Sequence, residues 1–391
     1  MFINFWYAAE QSENVTDKPV GVHMLGQDFV LFRDTSGQVH CLSNVCAHRG
    51  AALAGGKVNG DCIECPYHGW QYNGGGQCTT IPAASKDVKI PKRARVDSYP
   101  TTERYGLIFA FLGDLPESER PPIMECKEYG QEGWRATTIV FDWDFDYKRS
   151  IENALDAAHN EFVHTTHVDK KEGDPFRVPP LDLIDHDWGT SFHIEMPAPA
   201  MFEEKMRDTA DRAEPSIFHI YAGYHGVSSF WTFIEPTPKF IRRQHFYETP
   251  VDVGKTRIFT VDMRNNMRDP KDDERMIYMD TLVMNEDAKV LLGIRPVLQP
   301  TTNIKENFVQ SDSHMAHYRE KLKEWEAVGW RIDQDEVDRN KMKVAYAISS
   351  PARRTSKNWT LDPVPLVPAK TGVTTSNIAN LDRNVRERKQ E

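Results

Sequence analysis

Two short segments constrain this chain more than any other feature: Cys46-Ala-His48-Arg-Gly50 and Cys65-Pro-Tyr-His68-Gly-Trp70. Each offers one thiolate and one imidazole from a tight turn. Two such loops facing each other suit a [2Fe–2S] cluster with two Cys on one iron and two His on the other. Tetrahedral zinc accepts the same donor types. Its usual frameworks pair Cys with Cys and His with His, and the interleaved order here fits them poorly. The other cysteines, Cys41, Cys62, Cys78 and Cys126, read as small buried apolar residues.

Around these loops, residues 1 to 113 read as short strands and turns, among them Val20–Met24, Phe29–Phe32 and Gly106–Leu112, punctuated by Gly55-Gly56 and Gly74-Gly75-Gly76. The polar, proline-bearing stretch from Asp114 to Pro122 reads as a linker. This gives a first domain over residues 1–115, a linker over 116–124 and a second domain over 125–391, whose end from Arg383 is a charged run. In the second domain Phe141 to Tyr147 alternates aromatic and acidic residues, a half-buried strand. An EF-hand loop there is excluded, because its sixth and twelfth positions are Tyr147 and Asn153 instead of Gly and Glu. Helices are expected over 148–164, over 270–293 with Asp269 as N-cap and Pro270 at its first position, and over 311–328. The fold class is α+β.

The helix Glu152-Asn-Ala-Leu-Asp156-Ala-Ala-His159-Asn-Glu-Phe-Val-His164 supplies a second group of ligands. Two His and one carboxylate on one face of iron make the facial triad of non-haem Fe(II) oxygenases. Five residues of a straight helix turn about 140°, so His159 and His164 would point apart. A π-bulge or an early helix end near Phe162 would bring them together. His167 is the reserve ligand. Histidines near a helix end also serve merely as caps. Asp156 lies one turn before His159, where it can orient a ligand imidazole or be a solvated helix acid.

The chain resembles the Rieske non-haem iron oxygenases through Asn44–Gly50, Cys65–Tyr72, Gly76–Pro82 and the pattern Asn153, Asp156, His159, His164. Ala51 and Tyr67 stand where respiratory-type Rieske proteins carry a second cysteine pair, so the resemblance is to the oxygenase and ferredoxin branch. It implies an antiparallel-β Rieske domain followed by a helix-grip catalytic domain, with one [2Fe–2S] cluster and one mononuclear Fe(II) per chain. It implies Asp287 as the third iron ligand, ahead of Glu286, Asp280, Asp272 and Asp273, and Asn153 near the iron. It implies that Asp156 bridges the catalytic His of one subunit to a cluster His of the next in a homotrimer. The implied activity is NAD(P)H-dependent hydroxylation of a small organic substrate with O2. O- or N-demethylation and ring dihydroxylation belong to the same class.

No Gly-x-Gly-x-x-Gly opens a helix after a strand, so a nicotinamide or flavin domain is not evident. A separate reductase, with or without a ferredoxin, is therefore expected as electron donor. A net charge of −10 argues against nucleic acid and anionic membranes as partners. The N-terminal stretch has no secretory pattern, and six cysteines are too sparse for a disulfide scaffold; a cytoplasmic protein is expected. Substrate-pocket residues are sought in the aromatic-rich stretch 217–234. A pure electron carrier or a zinc-stabilised binding protein are the rival readings. The first needs only about the first hundred residues, and the second would be colourless.

Overall fold

The computed structural model describes residues 1–85, 87–164, 177–197, 217–237 and 240–373. His167 and the charged run from Arg383 lie outside these. Internal contacts divide the described residues into two units, 1–123 with 251–253 and 325–373, and 124–250 with 254–324.

The first unit is built of three small sheets and a two-stranded parallel pair between Tyr346–Ala347 and Asp362–Pro363. Strands β1 (Phe5–Gln11), β11 (Leu107–Leu112) and β10 (Thr101–Arg104) form one, with β11 in the middle. That position explains the unbroken apolar run Leu-Ile-Phe-Ala-Phe-Leu, every residue of which is buried. Strands β2 (Val20–Met24), β3 (Gln27–Arg33), β4 (Val39–Ser43) and β9 (Ser98–Tyr99) form the second sheet. The third comprises β5 (Lys57–Asn59), β6 (Cys62–Glu64), β7 (Gln71–Asn73) and β8 (Cys78–Thr80). Phe32, Leu42, Leu53, Ile63 and Tyr72 pack a common core beneath the two ligand-bearing loops.

The expectation that everything beyond residue 125 belongs to the second domain is corrected here, because 325–373 returns to the first unit. Trp325 and Trp330 pack edge-on against Phe5, with ring centroids 5.1 and 5.6 Å away. The buried Asp97 carboxylate accepts from Ser350 Oγ and from both arms of Arg353 at 2.7 Å. These contacts join residues 250 or more positions apart, so no local pattern announces them.

The second unit is a seven-stranded sheet in the order β12 (Arg135–Trp143), β18 (Lys255–Arg264), β17 (Phe240–Asp252), β16 (Ser229–Thr237), β15 (Ile217–His225), β14 (Gly189–Pro197), β13 (Ile184–His186). It is a meander closed by the first strand. Helices α1 (Tyr147–Ala154), α2 (Asn160–Val163), α3 (Asp273–Leu291) and α4 (Ser313–Ala327) accompany it, and α5 (Gln334–Asn340) lies in the returning segment. The α+β class with a Rieske-like β domain and a sheet-plus-helix domain is as expected. Asp269 caps the turn leading into α3 by accepting from Lys271 N.

The single expected helix over 148–164 is two helices. α1 stops at Ala154, Asp156 Oδ1 accepts from Ala158 N at 2.7 Å, and α2 begins after His159. Aspartate makes this kind of local backbone bond more readily than it continues a helix. α1 is anchored by buried charge. Glu152 receives Arg319 Nε of α4, Arg149 Nη1 at 3.2 Å and Gln299 Nε2 at 2.8 Å, while Glu306 bonds both arginines. Removing Arg319 alone would leave Glu152 buried with two of its three partners, a loss of about 3–5 kcal/mol.

Candidate metal centres and active-site cavity

The two ligand loops of the first unit repeat one backbone scheme. Gly50 N donates to Cys46 O at 2.9 Å and Gly69 N to Cys65 O at 3.0 Å. Both glycines adopt left-handed φ, +73° and +69°, conformations that side chains with a Cβ resist. The result is asymmetric. Cys46 and Cys65 are buried and interact with each other, whereas His48 and His68 are exposed with ring centroids 4.5 Å apart. His48 lies flat on Trp70, at 4.5 Å and 4°. Tyr72 Oη is 3.1 Å from Cys46 Sγ. Burial pushes the Cys46 thiol upward, so an electrophilic iron partner is what would hold it as a thiolate. Two inner thiols and two outer imidazoles are the donor set of a cluster with chemically distinct irons. All six cysteines are free; Cys41, Cys78 and Cys126 are buried as expected, while Cys62 is only half-buried.

In the second unit the break between α1 and α2 turns His159 toward the position that His164 reaches by leaving α2 in extended backbone, φ −92° and ψ 99°. No π-bulge is needed. Asp287, near the end of α3, meets both: His159 Nε2 is 3.6 Å and His164 Nε2 3.4 Å from Asp287 Oδ1. One ligand atom from each of the three lies within 4.8 Å of the others. Asp287 Oδ1 is buried and takes no hydrogen bond, a costly state that a cation between the three side chains resolves. Burial lowers the His159 pKa against the pull of the Asp287 and Asp156 carboxylates, which favours the neutral, ligating form. The donor set fits the facial triad.

Outer contacts orient these ligands. His164 Nδ1 is 3.2 Å from Glu286 Oε2, so Glu286 is placed to orient the His164 imidazole, while Asp287 is the carboxylate grouped with the two histidines. His159 Nδ1 bonds the main-chain carbonyl of Asp156 at 2.5 Å, whereas the Asp156 carboxylate is engaged with Ala158 N; within the chain, the carbonyl and not the carboxylate fixes the His159 ring. Burial raises the Asp156 pKa. Of the weaker ligand candidates, Asp273 pairs with Arg135 and Arg264, Asp280 with Arg242, and Asp272 precedes α3.

His159, His164, Asp287 and Asn153 line a cavity of about 170 Å³. Its floor is one face of the sheet, and the stretch 217–234 contributes alternate residues, from Phe218 to Ile234. Strand alternation sends His193, Glu195 and His219 to the opposite face, where their ligand atoms also cluster within 4.8 Å. An apolar cavity of about 150 Å³ accepts benzene, so the space suits a single ring.

Residues 5–100 match the Rieske [2Fe-2S] domain family and residues 143–328 the vanillate O-demethylase oxygenase C-terminal domain family. The chain is 34% identical over 168 residues to the iron-sulfur subunit of the toluene-4-sulfonate monooxygenase system of Comamonas testosteroni, covering 42% of this chain and 48% of that one. It is 34% identical over 171 residues to the oxygenase component of 3-ketosteroid-9-alpha-monooxygenase of Rhodococcus rhodochrous, covering 42% and 44%. These matches span less than half the length of those relatives. Among solved structures, NdmA of Pseudomonas putida CBB5 with caffeine superimposes with a TM-score of 0.69 at 25% identity, over 83% of this chain and 91% of that one. Dicamba monooxygenase shares the fold, with a TM-score of 0.71 at 23% identity, covering 82% and 96%. Among the described residues no helix is long and apolar enough to cross a membrane.

Proposed function

The chain belongs to the Rieske-type oxygenases, and from that premise we propose that it is the terminal oxygenase of a multicomponent system that hydroxylates, or oxidatively O- or N-demethylates, a small aromatic or cyclic substrate. The observation that carries this is the convergence of His159, His164 and Asp287 at the wall of a largely apolar cavity, in a chain that also carries the Cys46/His48/Cys65/His68 loops. When bound, the [2Fe–2S] cluster supplies single electrons and the mononuclear Fe(II) supplies dioxygen activation.

The residues of the chain divide the remaining work. Glu286 and the Asp156 carbonyl hold the two imidazoles at fixed rotation. Asn153 borders the ligands, and the phenyl-rich sheet face excludes water and positions a ring against the metal side. Asp156 is assigned the bridge between His159 and a cluster His, His48 or His68, of a neighbouring subunit in a homotrimer. The electrons come from NAD(P)H through a partner reductase, with or without a ferredoxin, and the setting is cytoplasmic. Relatives named for toluene-4-sulfonate and 3-ketosteroid oxidation, and the caffeine complex of NdmA, support a cyclic substrate. The match to a vanillate O-demethylase domain favours monooxygenation or demethylation over ring dihydroxylation. Oxygen uptake with a surrogate reductase, screened over methoxylated, N-methylated and unsubstituted rings, tests the reading. Substrate-dependent uptake with a hydroxylated or demethylated product is expected. Fully metallated protein that yields no product from any of these classes would count against it.

A further inference from the structure

The cavity has a charged end remote from the His159, His164 and Asp287 group. Arg242 of β17 and Asp280 of α3 both line it. Arg242 Nη2 donates to Asp280 Oδ1 at 2.5 Å and to Asp262 Oδ2 at 2.7 Å. A single nitrogen thus serves two carboxylates that are 7% and 2% exposed. Each carboxylate keeps a buried oxygen, Asp280 Oδ2 and Asp262 Oδ1, with no hydrogen-bond partner. The next cation, Arg264, is committed to Asp273, Thr137 Oγ1 and the Met267 carbonyl. Two anions against one shared guanidinium leave this end net negative, with an unpartnered, buried carboxylate oxygen on a residue that lines the cavity. Burial pushes the Asp280 carboxyl up against the pull of Arg242, and the bond from Arg242 Nη2 holds its Oδ1 as an acceptor.

The spacing is also defined. Asp280, Val283, Met284 and Asp287 line the cavity as one stripe of α3. Seven residues separate Asp280 from the metal ligand, a rise of about 10 Å. On the sheet side the cross-strand pairs run from the stacked Phe230 and Phe246, through Thr232 and Gln244, to Ile234 and Arg242. Polarity therefore rises along β17 toward the arginine, while its β16 partner there, Ile234, is apolar.

We propose that Asp280, held in place by Arg242, is a specificity-determining subsite for a single-ring aromatic substrate bearing a hydrogen-bond donor, an ammonium, amine N–H or phenolic O–H, one ring-length from the atom that is oxidised. The proposal rests on the oxygenase reading and deepens it. A donor at this end of the cavity meets the Asp280 carboxylate. A carboxylate brought to the same place meets two carboxylates whose guanidinium is already divided between them, and is rejected.

The probes are 4-methoxybenzylamine and 4-methoxybenzoate, which share a ring and a methyl ether and differ at the opposite end. Each is titrated calorimetrically into anaerobic holoenzyme. The amine is expected to bind at least about tenfold more tightly, in keeping with the discrimination that close charge pairs provide. Asp280→Asn keeps the shape and removes the charge. It should bring the ratio to within about threefold by weakening the amine, with iron and sulfide content unchanged. A wild-type ratio below tenfold, no detectable binding of the amine, or an unchanged ratio in Asp280→Asn overturns the proposal. If that variant does not fold, the wild-type ratio decides alone. Failure of the oxygenase reading is separately visible, as absent oxygen uptake in protein whose binding ratio is intact.

Discussion

The two centres of this molecule solve the ligand problem in opposite ways. Cys46, His48, Cys65 and His68 lie within 23 residues, on the loop between β4 and β5 and the loop between β6 and β7 of one unit. Their glycine turns fix the backbone, and their imidazoles face solvent. His159, His164 and Asp287 span nearly 130 residues, come from a broken helix and a long one, and line an interior cavity. The first arrangement suits a site that must exchange electrons with partners. The second suits one that must admit a small substrate and exclude water. The difference teaches that the local centre should tolerate disturbance elsewhere, whereas the distant one depends on the packing that brings α1, α2 and α3 together.

The largest effects should separate the centres cleanly. His159→Ala is expected to lower product formation at least about a thousandfold, following the loss typical of a group the chemistry requires, while the reduced-cluster EPR signal is kept. Product formed at the wild-type rate would remove His159 from the ligand set. Cys46→Ala should do the reverse, abolishing acid-labile sulfide and the EPR signal and leaving one iron bound. An unchanged signal would show that the cluster lies elsewhere.

Asp156→Asn should sharpen the comparison by sparing both centres and slowing only the transfer between them. Single-turnover reduction kinetics should fall by two or more orders of magnitude, with iron and sulfide intact. Co-assembled Cys46→Ala and His159→Ala chains should recover part of the activity if transfer crosses subunits; verified mixed trimers with no recovery would refute the bridge. Smaller is the effect of Glu286→Gln, which loosens the His164 imidazole. Iron affinity measured by competition with a chelator should weaken about 10- to 100-fold, as for other residues that orient ligands. The smallest belongs to Tyr72→Phe, which removes the hydroxyl 3.1 Å from Cys46 Sγ. The cluster potential should fall by a few tens of millivolts, the equivalent of about 1 kcal/mol for a hydrogen bond that favours the reduced, more negative state. A rise in potential would reverse that assignment.

The sequence revealed these centres unequally, for the same physical reason that they differ. Cluster ligands declare themselves because residue type and spacing within two turns are nearly the whole geometry. His159 and His164 are legible in the sequence as candidate ligands, but the device that aligns them is not. The Asp156 side chain bonding Ala158 N ends the helical path earlier than a five-residue spacing suggests. Asp287 needed family resemblance, since a helix acid looks the same whether it faces solvent or a metal. The role of Glu286 follows only from the fold, being visible once His164 sits beside it. The return of residues 325–373 to the first unit depends on Asp97 meeting Ser350 and Arg353, and no periodicity encodes such a pairing. In the sequence Asp280 stands out only as a candidate metal ligand. Its partner Arg242 lies on a strand 38 positions away, so the charged end of the cavity was invisible until the sheet and α3 were placed.

The account stands or falls on one chain carrying two independent iron centres. Iron and acid-labile sulfide counted together in wild-type protein and in His159→Ala test that most directly. The predicted result is about three iron and two sulfide per wild-type chain, falling to about two and two in the variant, from one two-iron cluster plus one facial triad. Wild-type protein holding zinc without sulfide, or a variant that loses sulfide together with iron, would contradict it.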